Sequence, residues 1–191
     1  MDLSRFQQQI NEAAGSGPPS LPPVEKWDPQ FCGNLNMQID LDGRWFYEGT
    51  PVGRASLVKL FASVLKKEGD KYFLVTPVEK VGLQVEDVPF VFVNWHRSNG
   101  VITLTTQCGD AIELNNTNKV ELRLPPKPLQ DPQATAIPYI NVRRNLWGRL
   151  HHNVYYQLIE EATQQTGDNG AVSLFVNSGD TRILIGQINA Q

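Results

Sequence analysis

The sequence is poor in cysteine, with two, Cys32 and Cys108, among 191 residues. They form no CxxC pair, so no disulfide framework is predicted, and two isolated cysteines are typical of a reducing compartment. We interpret both as ordinary small hydrophobic residues, and a redox-sensing thiol is the alternative.

Long apolar runs and an excess of basic charge are also missing. The longest apolar block, Val88 to Val93, contains Pro89 and has the length of a strand, far below the roughly 20 residues of a membrane-spanning helix. Residues 1–6 lack the basic segment and apolar run of a signal peptide, so a cytoplasmic location is expected. A net charge of −3, from 17 Lys and Arg against 20 Asp and Glu, argues against general affinity for nucleic acid polymers.

The familiar catalytic signatures are absent from the sequence. It contains no GxxxxGK[ST] loop, no GxGxxG after a strand, no GxSxG elbow and no HExxH or Cys/His cluster with zinc spacing. The adjacent His151 and His152 are predicted to point in different directions from a helix start, which makes them poor joint metal ligands. We therefore predict no catalytic residue, metal or cofactor, and an enzyme remains an alternative with Glu79 and Lys80 as its first candidates.

The patterns that are present predict an α+β fold, mainly antiparallel, with two main helices. Alternating Met37, Ile39 and Leu41 precede Asp42-Gly43, a dipeptide typical of a tight hairpin turn. Thr50 and Pro51 are expected to cap a helix whose apolar residues run from 57 to 65. Strands at 72–76 and 80–85 complete a unit that is ordered hairpin, helix, hairpin.

Residues 139–188 repeat this order of elements. A domain duplication is therefore predicted, although hairpins and helices are common enough for a chance likeness to be the alternative. The predicted elements are strands 139–142 and 146–150, a helix near 154–162, and strands 172–176 and 182–188.

Three segments are expected along the chain. Residues 1–23 form an N-terminal arm and linker with a short helix over 3–14, because the Gly- and Pro-rich run 15–23 interrupts regular structure. Residues 24–87 form a first α+β domain. Residues 88–191 form a larger second domain that adds an antiparallel meander.

Three sets of residues are candidate ligand contacts. Arg143 and Arg149 lie on facing strands of a predicted hairpin, where their planar guanidinium groups can converge on phosphate or carboxylate oxygens. The alternative is a pair of surface salt bridges. The second set is a bend that carries a hydroxyl, a carboxylate and an amine, on Thr76, Glu79 and Lys80. The third set is a pair of aromatic residues on one strand face, Trp45 and Tyr47.

Both of these sets have a structural alternative. The bend at residues 76–80 can be a hairpin turn with an exposed ion pair. Trp45 and Tyr47 can stack a planar ligand where their strand face is open, but most such aromatic residues belong to a core.

Several stretches resemble the bacterial family called domain of unknown function 1285. The motifs that carry the resemblance are Phe31-Cys32-Gly33, DGRWFYEGTPVGR at 42–54 and YFLVTPVEKVG at 72–82, with further likeness at 138–143 and 154–156. The resemblance extends over about residues 20 to 188.

The resemblance implies a duplicated domain with a C-terminal part similar to pleckstrin-homology folds, and no established enzymatic activity. It also implies a nucleotide-type ligand held between the two halves, and a signalling role. On this basis Arg54 joins the candidate contacts, and a small anionic, planar ligand is the expected partner. His151-His152-Asn153 stand where the family pattern leads us to expect an arginine, which argues against a ligand role for a cation there. A protein-interaction module is the remaining alternative.

Overall fold

The computed structural model describes residues 3–14, 21–130, 134–168 and 170–188, and of residues 3, 5, 13 and 14 only the backbone. The predicted linker at 15–20 lies outside the described residues. The chain divides into two compact units, residues 1–87 and 88–191. Both units are α+β with mostly antiparallel strands, which confirms the predicted fold class.

The first unit contains two helices, α1 (Leu3–Ala14) and α2 (Ala55–Ser63). Phe6 and Ile10 lie four residues apart on one face of α1, and both are fully buried. The ring of Phe6 lies 6.4 Å from that of Phe61 on α2. The N-terminal helix is therefore part of the first unit's core, and the predicted arm is packed at this point.

The sheet of the first unit has six strands in the order β3-β2-β1-β6-β5-β4. Strands β1 and β6 are parallel, and the other neighbours are antiparallel. The predicted Asp42-Gly43 turn joins β1 to β2, and Gly43 adopts the left-handed φ of 77° that this turn requires. The strands are β1 (Phe31–Ile39), β2 (Trp45–Tyr47), β3 (Thr50–Pro51), β4 (Leu65–Glu68), β5 (Lys71–Val75) and β6 (Lys80–Val85).

The predicted helix near 57–65 differs from the structure at both ends. Thr50 and Pro51 form β3 instead of a helix cap, and α2 begins at Ala55. The helix ends at Ser63, and Leu65 begins β4, which pairs with β5 through the tight turn at Gly69. The run of apolar residues continues across this change of structure, so helical spacing alone could not locate the end of the helix.

The second unit has a six-stranded sheet in the order β10-β11-β12-β7-β8-β9 and a separate three-stranded sheet in the order β13-β14-β15. Helix α3 (His152–Glu160) confirms the predicted helix. In the larger sheet, β7 and β12 are parallel. The strands are β7 (Phe90–Ser98), β8 (Val101–Thr106), β9 (Ala111–Glu113), β10 (Val120–Arg123), β11 (Ile137–Arg143), β12 (Leu146–Leu150), β13 (Thr163–Thr166), β14 (Val172–Ser178) and β15 (Thr181–Ile188).

The two halves are similar in the order of their elements, as predicted. Each runs from a hairpin through a nine-residue helix into a three-stranded meander, where the sequence had indicated two strands. The additional strand of the second meander, β13, has the sequence TQQT and is exposed throughout. A strand without an apolar residue has no alternating pattern by which the sequence could reveal it.

The two meanders pair differently. In the first half, the last meander strand, β6, lies beside the first hairpin strand, β1, so that hairpin and meander share one sheet. In the second half, β7 occupies the place beside the hairpin, and the meander β13–β15 forms a sheet of its own. Helix α3 of the second half therefore contacts strands of two different sheets, β7 and β14.

Gly148 allows the close packing between β12 and β7. A Cβ atom at this position would lie 2.7 Å from the ring of Phe92, 3.1 Å from Val142 and 3.2 Å from the Cβ of Phe90. All three neighbours are buried. Distances this short leave no space for a methyl group unless the core moves.

We expect Gly148→Ala to lower the free energy of unfolding of the second unit by about 1–3 kcal/mol, the usual cost of overpacking. Gly53→Ala is the matched control, because a Cβ there would meet nothing within 4 Å and the backbone lies outside the left-handed region. The control should be neutral or stabilise by about 0.4–1 kcal/mol. Urea unfolding, followed through amide NMR signals of each unit, measures the free energy of unfolding of both variants. Equal losses of stability in the two variants would contradict the packing argument.

Candidate functional site

A cavity of about 480 Å³ lies within the second unit. Strand β12, helix α3, strands β14 and β15, and the segment that precedes β11 contribute its walls. Most of the lining is apolar, and the aliphatic residues among it are Leu129, Ile137, Leu150, Ile159, Leu174 and Ile188.

Arg149 is the buried cation of this cavity. Its position on β12 lies opposite Tyr139 of β11 and Val91 of β7, and the residue is only 5% exposed. One guanidinium nitrogen, Nη1, donates to the carbonyl oxygen of Leu150 at 3.3 Å. A charge held away from water acts on a nearby ion more strongly than a solvated charge does. Arg149 can therefore attract an anion into the cavity.

Tyr155 of α3 also lines the cavity, and its hydroxyl group lies close to Gly186 of β15. A Cβ atom at Gly186 would lie 3.0 Å from the Tyr155 hydroxyl oxygen, so the glycine provides the space for that hydroxyl. Burial raises the pKa of Tyr155, and a hydrogen bond with Thr135 opposes the rise. The phenol is thus held neutral, as a hydrogen-bonding group without charge at the cavity wall.

The two adjacent histidines have separate places at the start of α3. His151 precedes the helix and caps it, since its Nδ1 accepts from the Asn153 amide at 3.4 Å. His152 is the first helical residue and lines the cavity. Their rings lie 4.1 Å apart, so the two side chains are neighbours and do not point in different directions as predicted.

Of the eight predicted contact residues, Arg149 lines this cavity. Arg143 lies on the other face of the same sheet. A register shift between Asn141 and Arg143 places Arg143 opposite Leu146, so these two side chains share one face of the sheet. Leu146 and Arg149 are three residues apart on β12, and side chains three residues apart on a strand point to opposite faces. Arg143 forms an ion pair with Asp110, and its guanidinium lies 4.6 Å from the Phe90 ring. The two arginines therefore do not converge.

The candidate contacts Trp45, Tyr47 and Arg54 of the first unit differ in burial. Trp45 is 2% exposed and stacks on Phe61, with ring centroids 6.3 Å apart and planes at 28°. Tyr47 is half-buried. Arg54 is exposed at the N-cap position of α2. Trp45 thus has the core position that the sequence left open as the alternative.

The bend at residues 76–80 anchors α1. Thr76 is fully buried, its Oγ1 accepts from the Glu79 amide at 3.0 Å, and it donates to Gln9 Oε1 at 3.0 Å. Gln9 in turn donates to Glu79 Oε1 at 3.1 Å. These contacts join α1 to the strand ends by paired polar groups.

Lys80 belongs to a charged and aromatic cluster on the first sheet. Its Nζ lies 3.1 Å from Glu68 Oε2 and 5.2 Å from the centre of the Phe73 ring. The hydrogen bond from Lys80 lowers the pKa of Glu68 against the opposing effect of burial, with help from Lys66.

The sequence did not single out most of the lining residues. Tyr155 and Ile159 lie in the predicted helix near 154–162, and Leu150, Leu174 and Ile188 lie in predicted strands. Three of the lining residues are large apolar or aromatic side chains that remain exposed, a property that sequence alone does not show. They are Leu129, Tyr156 and Ile188, which are 38%, 58% and 51% exposed. Only the fold brings three such residues to one cavity.

Comparison with known proteins gives the family. A model of the N-terminal domain of the domain of unknown function DUF1285 matches residues 22–88, and a model of the C-terminal domain matches residues 89–183. The chain belongs to the DUF1285 family.

Solved structures agree with this assignment. A DUF1285 family protein from Silicibacter pomeroyi is 32% identical, with 94% of this chain and 95% of that chain covered and a TM-score of 0.74. A DUF1285 family protein from Shewanella baltica is also 32% identical, with 66% of this chain and 91% of that chain covered and a TM-score of 0.50. No curated protein matches this member of the family.

Within the described residues, no group of three or more His, Cys, Asp or Glu side chains is placed to hold a metal ion. None of the helices in the described part of the chain has the length and apolar character needed to cross a membrane.

We expect Lys80→Met to raise the pKa of Glu68, because its strongest stabilising partner is lost. A carboxylate with a lowered pKa stabilises the fold above its unfolded pKa, and that contribution disappears as pH falls through the folded pKa. The variant should therefore lose less stability on acidification than the parent protein.

The measurement is a carboxyl ¹³C NMR titration of Glu68. Lys59→Met is the control, since Lys59 is an exposed residue of α2 and has no part in the shift of Glu68. An unchanged Glu68 titration in Lys80→Met would show that the ion pair is not maintained in solution.

Proposed function

We propose that this protein is a small-molecule binding module whose ligand occupies the cavity of the second unit. The observation that carries the proposal is the buried Arg149 in the wall of a mainly apolar cavity of about 480 Å³. Small-molecule sites are concave, mostly apolar and roughly 300–1,000 Å³ in volume, with a few polar groups that orient the ligand.

The cavity supports an anionic ligand with a planar or apolar body. Arg149 offers charge, Tyr155 and Thr135 offer hydroxyl groups, and the aliphatic walls exclude water from the body of the ligand. We propose a small anionic ligand at this site within the second unit, whereas the family resemblance implies a nucleotide-type ligand between the two halves. A signalling role would require the ligand to bind one conformation more tightly than another.

A protein-interaction module is the second candidate, and the exposed residues of the cavity favour it. Leu129, Tyr156 and Ile188 expose apolar or aromatic surface around the same cavity, where an apolar side chain of a partner can insert. In that case the partner and the small molecule would compete for one site.

We expect Leu129→Trp to weaken small-molecule binding strongly, because the larger side chain occupies part of the cavity while its partly exposed position tolerates the change. Leu124→Trp is the matched control, with the same substitution at a residue that is 61% exposed and outside the lining. The ligand panel is AMP, cyclic AMP, benzoate and octanoate. Binding of each ligand is measured by thermal shift and by changes in amide chemical shifts.

A bound ligand raises the free energy of unfolding by RT ln(1 + [L]/Kd), and the melting temperature rises with it. Binding at the cavity should shift the amide signals of α3 and of residues 186–188 in the parent protein and in Leu124→Trp. Silence of the whole panel at millimolar concentration, or shifts confined to residues outside the cavity, would contradict the proposal.

A further inference from the structure

We infer that the ligand of this cavity is a monocarboxylate with an apolar body, bound through Arg149. This inference rests on the proposed function, since it names the chemical class of the ligand at the same site. It narrows the expected anion from a nucleotide-type molecule to one with a single negative charge.

The charge of the cavity is the first argument. Arg149 is the one permanently charged side chain among the described lining residues, and His152 is their one titratable imidazole. None of the described lining residues is acidic or a lysine. A single guanidinium can donate to one carboxylate group alongside its contacts within the protein, whereas the additional charges of a di- or triphosphate would lose water without a second cation among the described lining residues.

The geometry of the cation is the second argument. A guanidinium presents its N–H groups in a planar fork that matches the two oxygens of a carboxylate. The burial of Arg149 at 5% exposure restricts its side chain and lowers the local dielectric, which strengthens such a pair. This pair does not require Arg149 to be unoccupied beforehand, since a ligand carboxylate can displace a weaker contact such as the 3.3 Å bond to Leu150.

The walls are the third argument, and they describe the rest of the ligand. Leu150 and Leu174 are buried, and Ile137 and Ile159 are half-buried, so the inner surface is aliphatic. Such walls favour methylene or ring carbons over a hydroxylated sugar, because a buried hydroxyl needs a hydrogen-bond partner.

The test compares eight-carbon probes that differ only in the head group, together with AMP. Octanoate, 1-octanol and octylamine are titrated into the full-length protein, and binding is measured by calorimetry and by amide shifts of α3. We expect octanoate to bind at least about tenfold more tightly than 1-octanol, and octylamine and AMP to bind more weakly still.

Arg149→Gln should lower the affinity for octanoate by about 10- to 100-fold and leave the affinity for 1-octanol nearly unchanged. Arg182→Gln is the matched control, because Arg182 lies on β15, is exposed, and contacts Gln165 and the Phe175 ring outside the cavity. The head-group series in the parent protein and the variant Arg149→Lys, which keeps the charge but loses the fork, provide the answer if Arg149→Gln does not fold.

The outcomes separate this inference from the proposed function. Equal binding of octanoate and 1-octanol, or an octanoate affinity unaffected by both Arg149 variants, would overturn the monocarboxylate inference while the binding module stands. Tighter binding of AMP at the same residues would also overturn it and favour a nucleotide. Absence of every probe from the cavity, with none of the wider panel bound there, would overturn both.

Discussion

The contact between strands β12 and β7 at Gly148 determines the geometry of the second unit. Because no side chain intervenes, Phe90 and Phe92 pack directly against β12, and the parallel pairing places Arg149 opposite Val91. The same strand leads through Leu150 into the capped start of α3. Arg149 and helix α3, which both contribute to the cavity wall, are therefore separated by only a few residues of chain, and a change in this register would move both.

In the β11–β12 hairpin, a register shift of one residue decides which face of the sheet each arginine side chain occupies. The shift between Asn141 and Arg143 directs Arg143 to the face of Phe90, where Asp110 neutralises it. Arg149 faces the other side and lines the cavity. Arg143 is thus paired with a carboxylate of the protein, and Arg149 forms part of the cavity wall. Side-chain type alone cannot distinguish the two cases.

The sequence predicted what depends on local chemistry. Asp42-Gly43 predicted its turn, the spacing of Val154, Tyr155 and Leu158 predicted α3, and the repeated element order predicted two similar halves. The end of α2 was misplaced because Leu65 continues an apolar run into a strand, and β13 was missed because TQQT has no pattern. Of the candidate site, only Arg149 was predicted from the sequence. The cavity itself depends on how two sheets and a helix pack together, and this is a property of the tertiary structure.

The attachment of the three-stranded sheet has a mechanical consequence. Its β14–β15 turn is joined to the β8 hairpin, where Gly179 donates to the Gly100 carbonyl at 2.9 Å and Ser178 bridges Ile102 and Leu114. Leu174, Gln187 and Ile188, which line the cavity, lie at the far end of the same two strands. Strand β15 also contacts β10 and β11, and β14 contacts α3. The part of the cavity wall that β14 and β15 supply is therefore held by the larger sheet and by the helix as well as at the turn.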